Sequence, residues 1–183
     1  MRKYILLLWV ALLAGSCNNK IDFGPDEGVS YRNHQNVPMG YTDDSDWTLD
    51  GKWNKQEVKL FADDLKVNVN SQPAGDVFDL GFFPNPVEAG GQATLLYRTA
   101  LTNARLHLVF VDKKYKVLNR LDLPAAVGGR YGSQLLLDLP TSKFADKALY
   151  RLYYVFYNSD NTLYYKGHGD FKVGMSPPLA AAH

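Results

Sequence analysis

The sequence LYRLYYVFY, residues 149–157, is followed by four turn-forming residues, NSDN, and by a second run rich in aromatic residues, Thr162–Val173. Aromatic and β-branched side chains favour strands because they pack well against cross-strand neighbours. Asn, Ser and Asp between two such runs favour a tight connection. The stretch therefore predicts an antiparallel β-hairpin and indicates a β-rich fold.

Upstream of this hairpin, short apolar runs alternate with turn residues such as Gly90-Gly91 and Lys113-Lys114. The runs predict five further strands, at 77–83, 93–98, 105–111, 116–123 and 134–139. About seven short strands at spacings near ten residues are typical of an antiparallel β-sandwich. The sequence thus predicts an all-β sandwich over residues 67–173.

The end of the first run reads Gly81-Phe82-Phe83-Pro84-Asn85-Pro86. This motif resembles the opening of the immunoglobulin-like C-terminal sorting domains of Bacteroidetes proteins secreted by the type IX system. The resemblance implies an immunoglobulin-like sandwich whose proline motif enters the first strand. Sorting domains normally end the chain, whereas a tail, 174–183, follows here. We therefore expect the immunoglobulin-like fold that the resemblance implies, and a role in type IX secretion stays an alternative.

The first residues have the order of a secretory signal peptide. Arg2 and Lys3 precede the apolar run 5–13, which is too short to span a bilayer, and small residues lead to Cys17, the only cysteine. Leu13-Ala14-Gly15-Ser16-Cys17 resembles the lipobox of bacterial lipoproteins, whose cysteine carries diacylglycerol after cleavage just before it. We expect a signal peptide at 1–16 and a membrane partner through lipid at Cys17. The alternative is an ordinary cysteine in a peptide cut by the general peptidase.

Two segments separate the anchor from the sandwich. Residues 17–40 are rich in Asn, Gly, Asp and Pro without a regular period, which predicts a flexible tether. Residues 41–66 contain Trp47 and Trp53, which need burial, so this segment is expected to pack on the sandwich. An edge strand is expected around Glu57–Phe61.

Charge and motif content exclude several classes of function. Lys and Arg number 20 against 19 Asp and Glu, and no basic cluster occurs, so no nucleic-acid partner is expected. His34, His107 and His168 lack metal-ligand spacing, and solvated or structural histidines are the simpler interpretation. No Gly-x-Ser-x-Gly motif is present. We therefore expect no cofactor, no metal and no catalysis.

Asp43, Asp44 and Asp46 offer oxygen ligands of the kind that calcium prefers. Their spacing does not match the calcium loop, so a solvated acidic turn is the better interpretation.

The tyrosine-rich hairpin carries one specific hypothesis about binding. Tyr153, Tyr157 and Tyr165 form part of an exposed face for a sugar or protein partner. In the alternative, one face of the strand is core and the segment around Trp47 and Trp53 covers the other.

Together these features predict a lipid-anchored, extracytoplasmic structural or binding module of the cell envelope. Asn18, rather than an aspartate, follows the anchor, which favours the outer membrane without fixing its side. An envelope protein or a glycan is the expected partner. The alternatives are a type IX secretion substrate or component, and an accessory to a polysaccharide-acting enzyme.

Overall fold

Apolar runs and turn residues form seven strands in the computed structural model, which describes residues 20–174. Cys17 and the tail from residue 175 onward lie outside these described residues. The strands are β1 Val77–Phe83, β2 Gln92–Thr99, β3 Arg105–Asp112, β4 Val117–Pro124, β5 Ser133–Asp138, β6 Ala148–Tyr157 and β7 Leu163–Val173. Every predicted strand from residue 77 onward is thus confirmed, with ends that shift by at most one residue.

The strands form two antiparallel sheets, one of three strands in the order β1-β2-β5 and one of four in the order β4-β3-β6-β7. The predicted hairpin is β6 and β7, with Tyr153 opposite His168 and Leu152 opposite Gly169. Two antiparallel sheets with crossed connections form the expected immunoglobulin-like β-sandwich.

The main core lies between the two sheets. It is built from strand side chains that point inward at alternate positions, as the two-residue period of a strand requires. The most deeply buried members, each at most 1% exposed, include Leu95, Leu106, Phe110, Leu152, Phe156 and Phe171.

A second apolar cluster covers the outer face of the four-stranded sheet. Segments that precede β1 supply Trp53, Phe61, Val67 and Val69, which pack against outward-facing residues of β3 and β6 that include Val109, Tyr153 and Val155. Strand β6 is therefore buried on both faces, which explains why its sequence carries aromatic side chains at both odd and even positions. The expected packing of the Trp53 segment on the sandwich is present.

The edge strand expected around Glu57–Phe61 is wrong, because the first part of this stretch belongs to a short helix, α1 Lys55–Lys59. The Asn54 side chain accepts hydrogen bonds from the backbone N–H groups of Gln56 and Glu57. The Glu57 carboxylate in turn accepts from the Asn54 N–H at 2.8 Å. This reciprocal capping box stabilises the first helical turn.

The flexible tether expected over residues 17–40 is wrong for its described part, residues 20–40. Ile21 is 6% exposed and Val29 is fully buried, and the 3₁₀ turn Pro25–Gly28 lies between them. Arg32 exchanges backbone hydrogen bonds of 2.8 and 2.9 Å with Asn85. Because isolated apolar residues and a backbone ladder hold this segment on the sandwich, it packs against the domain although its sequence lacks a regular period.

The proline motif lies at the end of β1 rather than at its entry. Asn85 is fully buried, and its side chain donates to the carbonyl of Asp170 at 3.0 Å and accepts from the N–H of Lys172 at 3.1 Å. It thereby joins the first sheet to β7 and to the Arg32 segment. Within residues 20–174, no helix has the length and apolar character needed to cross a bilayer.

Candidate functional site

The three tyrosines of the predicted binding face do not share an exposed surface, and that expectation needs correction. Tyr153 is fully buried beneath Trp53, with the two rings edge to face at 5.4 Å, and Tyr157 is only 9% exposed. Tyr165 lies opposite Phe156 in the β6–β7 register, on the sheet face opposite to that of Tyr153, and its ring stacks on Tyr154 at 6.4 Å. The outward face of β6 is covered because its aromatic side chains complete the second apolar cluster.

The histidines and aspartates considered as ligands are dispersed. His34 is exposed, and His107 is buried on β3 against Phe61. Across residues 20–174, no three His, Cys, Asp or Glu side chains are close enough to hold a metal ion. Asp43 organises its own turn by accepting hydrogen bonds from the N–H and hydroxyl of Ser45 at 2.8 and 2.7 Å.

Asp46, in contrast, leaves the acidic turn and enters the core. Its carboxylate accepts the backbone N–H of Asp170 at 2.8 Å and lies 3.3 Å from the Ser30 hydroxyl. Burial and the nearby charge of Asp170 raise the pKa of Asp46 to about 8. The expectation of a solvated acidic turn is therefore wrong for this member.

Asp170 is held by the most buried ion pair of the described chain. Arg151 binds it in bidentate fashion, with Nε at 2.6 Å from Oδ1 and Nη2 at 2.7 Å from Oδ2. Only 2% of the Asp170 side chain and 11% of the Arg151 side chain is exposed. Burial raises the pKa of Asp170, and the bidentate Arg151 guanidinium opposes that rise because it replaces part of the lost hydration.

The free edge of β7 is covered by the segment that contains Trp47. The N–H groups of Trp47 and Asp50 donate to the carbonyls of His168 and Lys166, at 2.8 and 3.0 Å. This close approach depends on Gly167 and Gly169, since a Cβ at either position would overlap Thr48 or the Trp47 indole. The sequence Gly167-His168-Gly169 is therefore the docking point for this segment.

A cleft of about 380 Å³ opens where this segment leaves β7. Such a volume lies within the range of small-molecule pockets. Its walls mix apolar groups with amide, hydroxyl, carboxylate and ammonium groups, and they are formed by Leu49, Asp50, Gly51, Lys52, Asn70, Ser71, Gln72, Pro73 and Lys166.

Lys166 is the least expected member of the cleft, because only 2% of it is exposed. Its Nζ donates to Asn70 Oδ1 at 2.9 Å and lies 4.6 Å from the centre of the Trp53 ring. A cation over an indole face is attracted by the ring quadrupole. Burial lowers the pKa of Lys166, while the charges of Asp50 and Glu57 oppose that change.

A second polar group beside the cleft joins Asp50 and His168. His168 Nδ1 lies 2.8 Å from Asp50 Oδ2, and the same oxygen accepts the Trp53 indole N–H at 2.6 Å. The Asp50 carboxylate thus fixes the positions of an imidazole and an indole at one wall. Sequence reasoning missed this group because Asp50 and His168 are 118 positions apart.

These groups are suited to recognising a polar ligand. Asp50 offers acceptor oxygens, and Lys52 and Lys166 offer ammonium donors. The Gln72 amide offers one group that accepts and one that donates. The described cleft does not place a hydroxyl or thiol nucleophile against a base in the arrangement that covalent catalysis requires.

No family model matches this chain, and no curated protein matches it in sequence.

Proposed function

We propose that this chain is a Bacteroidetes lipoprotein, anchored through Cys17 at the outer membrane, that binds a glycan in the cleft of Asp50, Asn70 and Lys166. It works as a binding module and not as an enzyme. The signal-peptide order, the lipobox-like ending and the single cysteine support the anchor. The immunoglobulin-like sandwich around Pro84-Asn85-Pro86 supports the kinship with Bacteroidetes secreted domains.

The observation that carries the binding role is the buried ammonium of Lys166 in the wall of an open cleft. Lysine is almost never fully buried unless it is paired, because its ammonium loses hydration. Here Lys166 has a neutral amide and an indole face as its nearest partners. A ligand oxygen in the cleft would supply a hydrogen bond to an ammonium that has three donors.

The chemistry of the walls favours a glycan over an apolar ligand. Sugar hydroxyls both donate and accept, which suits Asp50 on one side of the cleft and Lys166 and Asn70 on the other. Leu49 and Pro73 provide apolar surface for the carbon face of a sugar ring.

An array of neutral and uronic-acid-containing oligosaccharides tests the binding role, with purified lipidated protein as the probe. We expect selective binding that is lost in Asp50→Asn and Lys166→Met. Lys143→Met is the matched control, since Lys143 also donates to an asparagine, Asn119, at 2.8 Å, but on an exposed surface. Equal binding by all these variants would show that the cleft is not the site.

Fractionation tests the anchor independently. Replacing Cys17 by Ala should prevent lipid attachment and move the protein out of the outer membrane fraction. Protease treatment of intact cells would then assign the side of the membrane. If Cys17→Ala fractionates like the wild type, the lipid anchor is wrong.

A further inference from the structure

The first described residues are bound to one end of the sandwich. The N–H of Ile21 donates to the carbonyl of Lys113 at 2.8 Å, and the Ile21 side chain is buried. Two residues farther on, Phe23 has the guanidinium of Arg151 5.7 Å from its ring centre. The chain is therefore fixed to the domain from Ile21 onward.

This attachment leaves little chain between the domain and the proposed anchor. Three residue steps separate Cys17 from Lys20, and they span at most about 11 Å. A lipid on Cys17 would therefore keep this end of the sandwich close to the membrane surface, in place of the long spacer expected from the sequence.

The same end carries a group of exposed lysines, which we call the lysine end. It consists of Lys20, the β3–β4 turn and the start of β6, and its members are Lys20, Lys113, Lys114, Lys116 and Lys147.

Two nearby acids are already engaged. Asp112 Oδ1 accepts the backbone N–H groups of Lys114 and Lys116 at 2.7 and 3.0 Å, and Glu27 pairs with Lys172. Asp22 and Asp146 are exposed and reduce the net positive charge without cancelling it.

A groove of about 450 Å³ lies within the lysine end. Lys20, Lys113 and Lys147 contribute ammonium groups to its lining, and Ile21, Phe23 and Leu149 contribute apolar surface. Ammonium groups beside apolar walls match a phospholipid, whose phosphate lies next to its acyl chains.

We propose that the lysine end is the membrane-facing surface of this protein and that it binds the phosphates of anionic phospholipids. This inference rests on the proposed anchor at Cys17. It fixes the orientation of the domain. Lys166 lies six residues along β7 from Lys172, and Lys172 is the cross-strand neighbour of Leu149 in the groove of the lysine end. At the rise of an extended strand, the candidate cleft is held about 20 Å farther from the membrane.

Lysine labelling of the lipidated protein tests this orientation. The full-length product, purified from membranes, is reconstituted in vesicles of phosphatidylcholine alone or mixed with phosphatidylglycerol, and amine-labelling rates are read by mass spectrometry. We expect Lys113, Lys114 and Lys147 to be protected severalfold in the anionic vesicles relative to detergent. Added salt should reduce this protection, because it screens exposed charges.

Two sets of variants make the test specific. Replacing Lys113, Lys114 and Lys147 together by Gln should raise labelling of Lys116 toward the rate seen in detergent, whereas Lys20 stays close to the lipid on Cys17. The matched control replaces the exposed lysines Lys55, Lys59 and Lys66 by Gln, which removes the same charge from the α1 region and should leave the protection intact. If anionic vesicles protect the lysine end no more than they protect Lys55, Lys59 and Lys66, the proposal is overturned.

Failure of the anchor is distinguishable from failure of this surface. Mass spectrometry of the purified protein shows directly whether Cys17 carries lipid. If it does not, the same material is mixed with the two kinds of vesicle. The surface is supported without the anchor if the wild type sediments with phosphatidylglycerol vesicles and the triple variant binds them on the order of a hundredfold more weakly. Equal sedimentation of wild type and triple variant would reject it.

Discussion

The indole of Trp47 lies directly against the backbone of Gly169, at a position where any side chain on residue 169 would overlap the ring. The indole also stacks on Phe82, with ring centres 5.2 Å apart and the two rings nearly parallel. Trp47 is therefore enclosed between the two sheets and cannot move aside without a loss of packing.

Replacing Gly169 by Ala should destabilise the protein by about 3 kcal/mol, because overpacking forces the surrounding side chains off their preferred positions. Chemical denaturation followed by tryptophan emission measures the loss. Gly51→Ala is the control, since a Cβ there meets nothing within 4 Å. If both variants unfold at the same denaturant concentration, the close approach of Trp47 is wrong.

The ion pair of Arg151 with Asp170 should be costly to break from one side. Arg151→Met leaves the Asp170 carboxylate buried without its guanidinium, and removal of one partner of a buried pair costs about 3–5 kcal/mol. The same change removes the Arg151 contacts to Asp22 and Phe23, so the N-terminal segment should loosen as well.

Hydrogen exchange together with denaturation checks both effects. The exposed pair of Arg105 with Asp122 supplies the control, because surface pairs contribute at most about 1 kcal/mol. Equal losses from Arg105→Met and Arg151→Met would contradict the role of burial.

Lys166→Met should separate stability from binding. Methionine keeps the length of the side chain beside Trp53. Asn70 Oδ1 stays satisfied because it also accepts the backbone N–H of Trp53 at 2.8 Å. Removal of a buried charge should therefore leave the free energy of unfolding unchanged or raise it by about 1 kcal/mol, while glycan binding is lost. A large loss of stability would instead indicate that Lys166 serves the fold.

The sandwich was predictable because its information is local. Leu149–Tyr157 carries strand-forming residues throughout and ends at a turn, so its bounds differ from those of β6 by one residue. The helix α1 also had a local signal, because Asn54 and Glu57 stand at capping-box spacing.

The second apolar cluster and the cleft had no such signal. Ile21, Trp53 and Phe61 are apolar residues without a common period, and their burial depends on a sheet formed much later in the chain. Lys166 gains its meaning only beside Trp53 and Asn70, which reach it through tertiary packing. Aromatic side chains on both faces of β6 indicated two covering layers or an exposed platform, and only the fold decides between them.

The buried carboxyl of Asp46 should make stability fall as pH rises. Its pKa is about 8 in the folded protein against an ordinary value of 3.8, so the folded state binds the proton more tightly. Below pH 4 both states are protonated, and this carboxyl has no pH-dependent effect. Between about pH 4 and pH 8 the unfolded chain releases the proton first, and stability should decline by up to about 1.4 kcal/mol per pH unit.

Asp46→Asn isolates this contribution, because the amide keeps the shape and the acceptor oxygen for the N–H of Asp170 without a titrating proton. Denaturant unfolding at intervals from pH 5 to pH 8 should show a variant whose advantage over wild type grows with pH. Asp44→Asn provides the control, since Asp44 is exposed two residues away. Parallel pH profiles for wild type and Asp46→Asn would mean that Asp46 is ionised in the folded protein, and that Arg151 and the surrounding N–H groups stabilise two buried carboxylates at once.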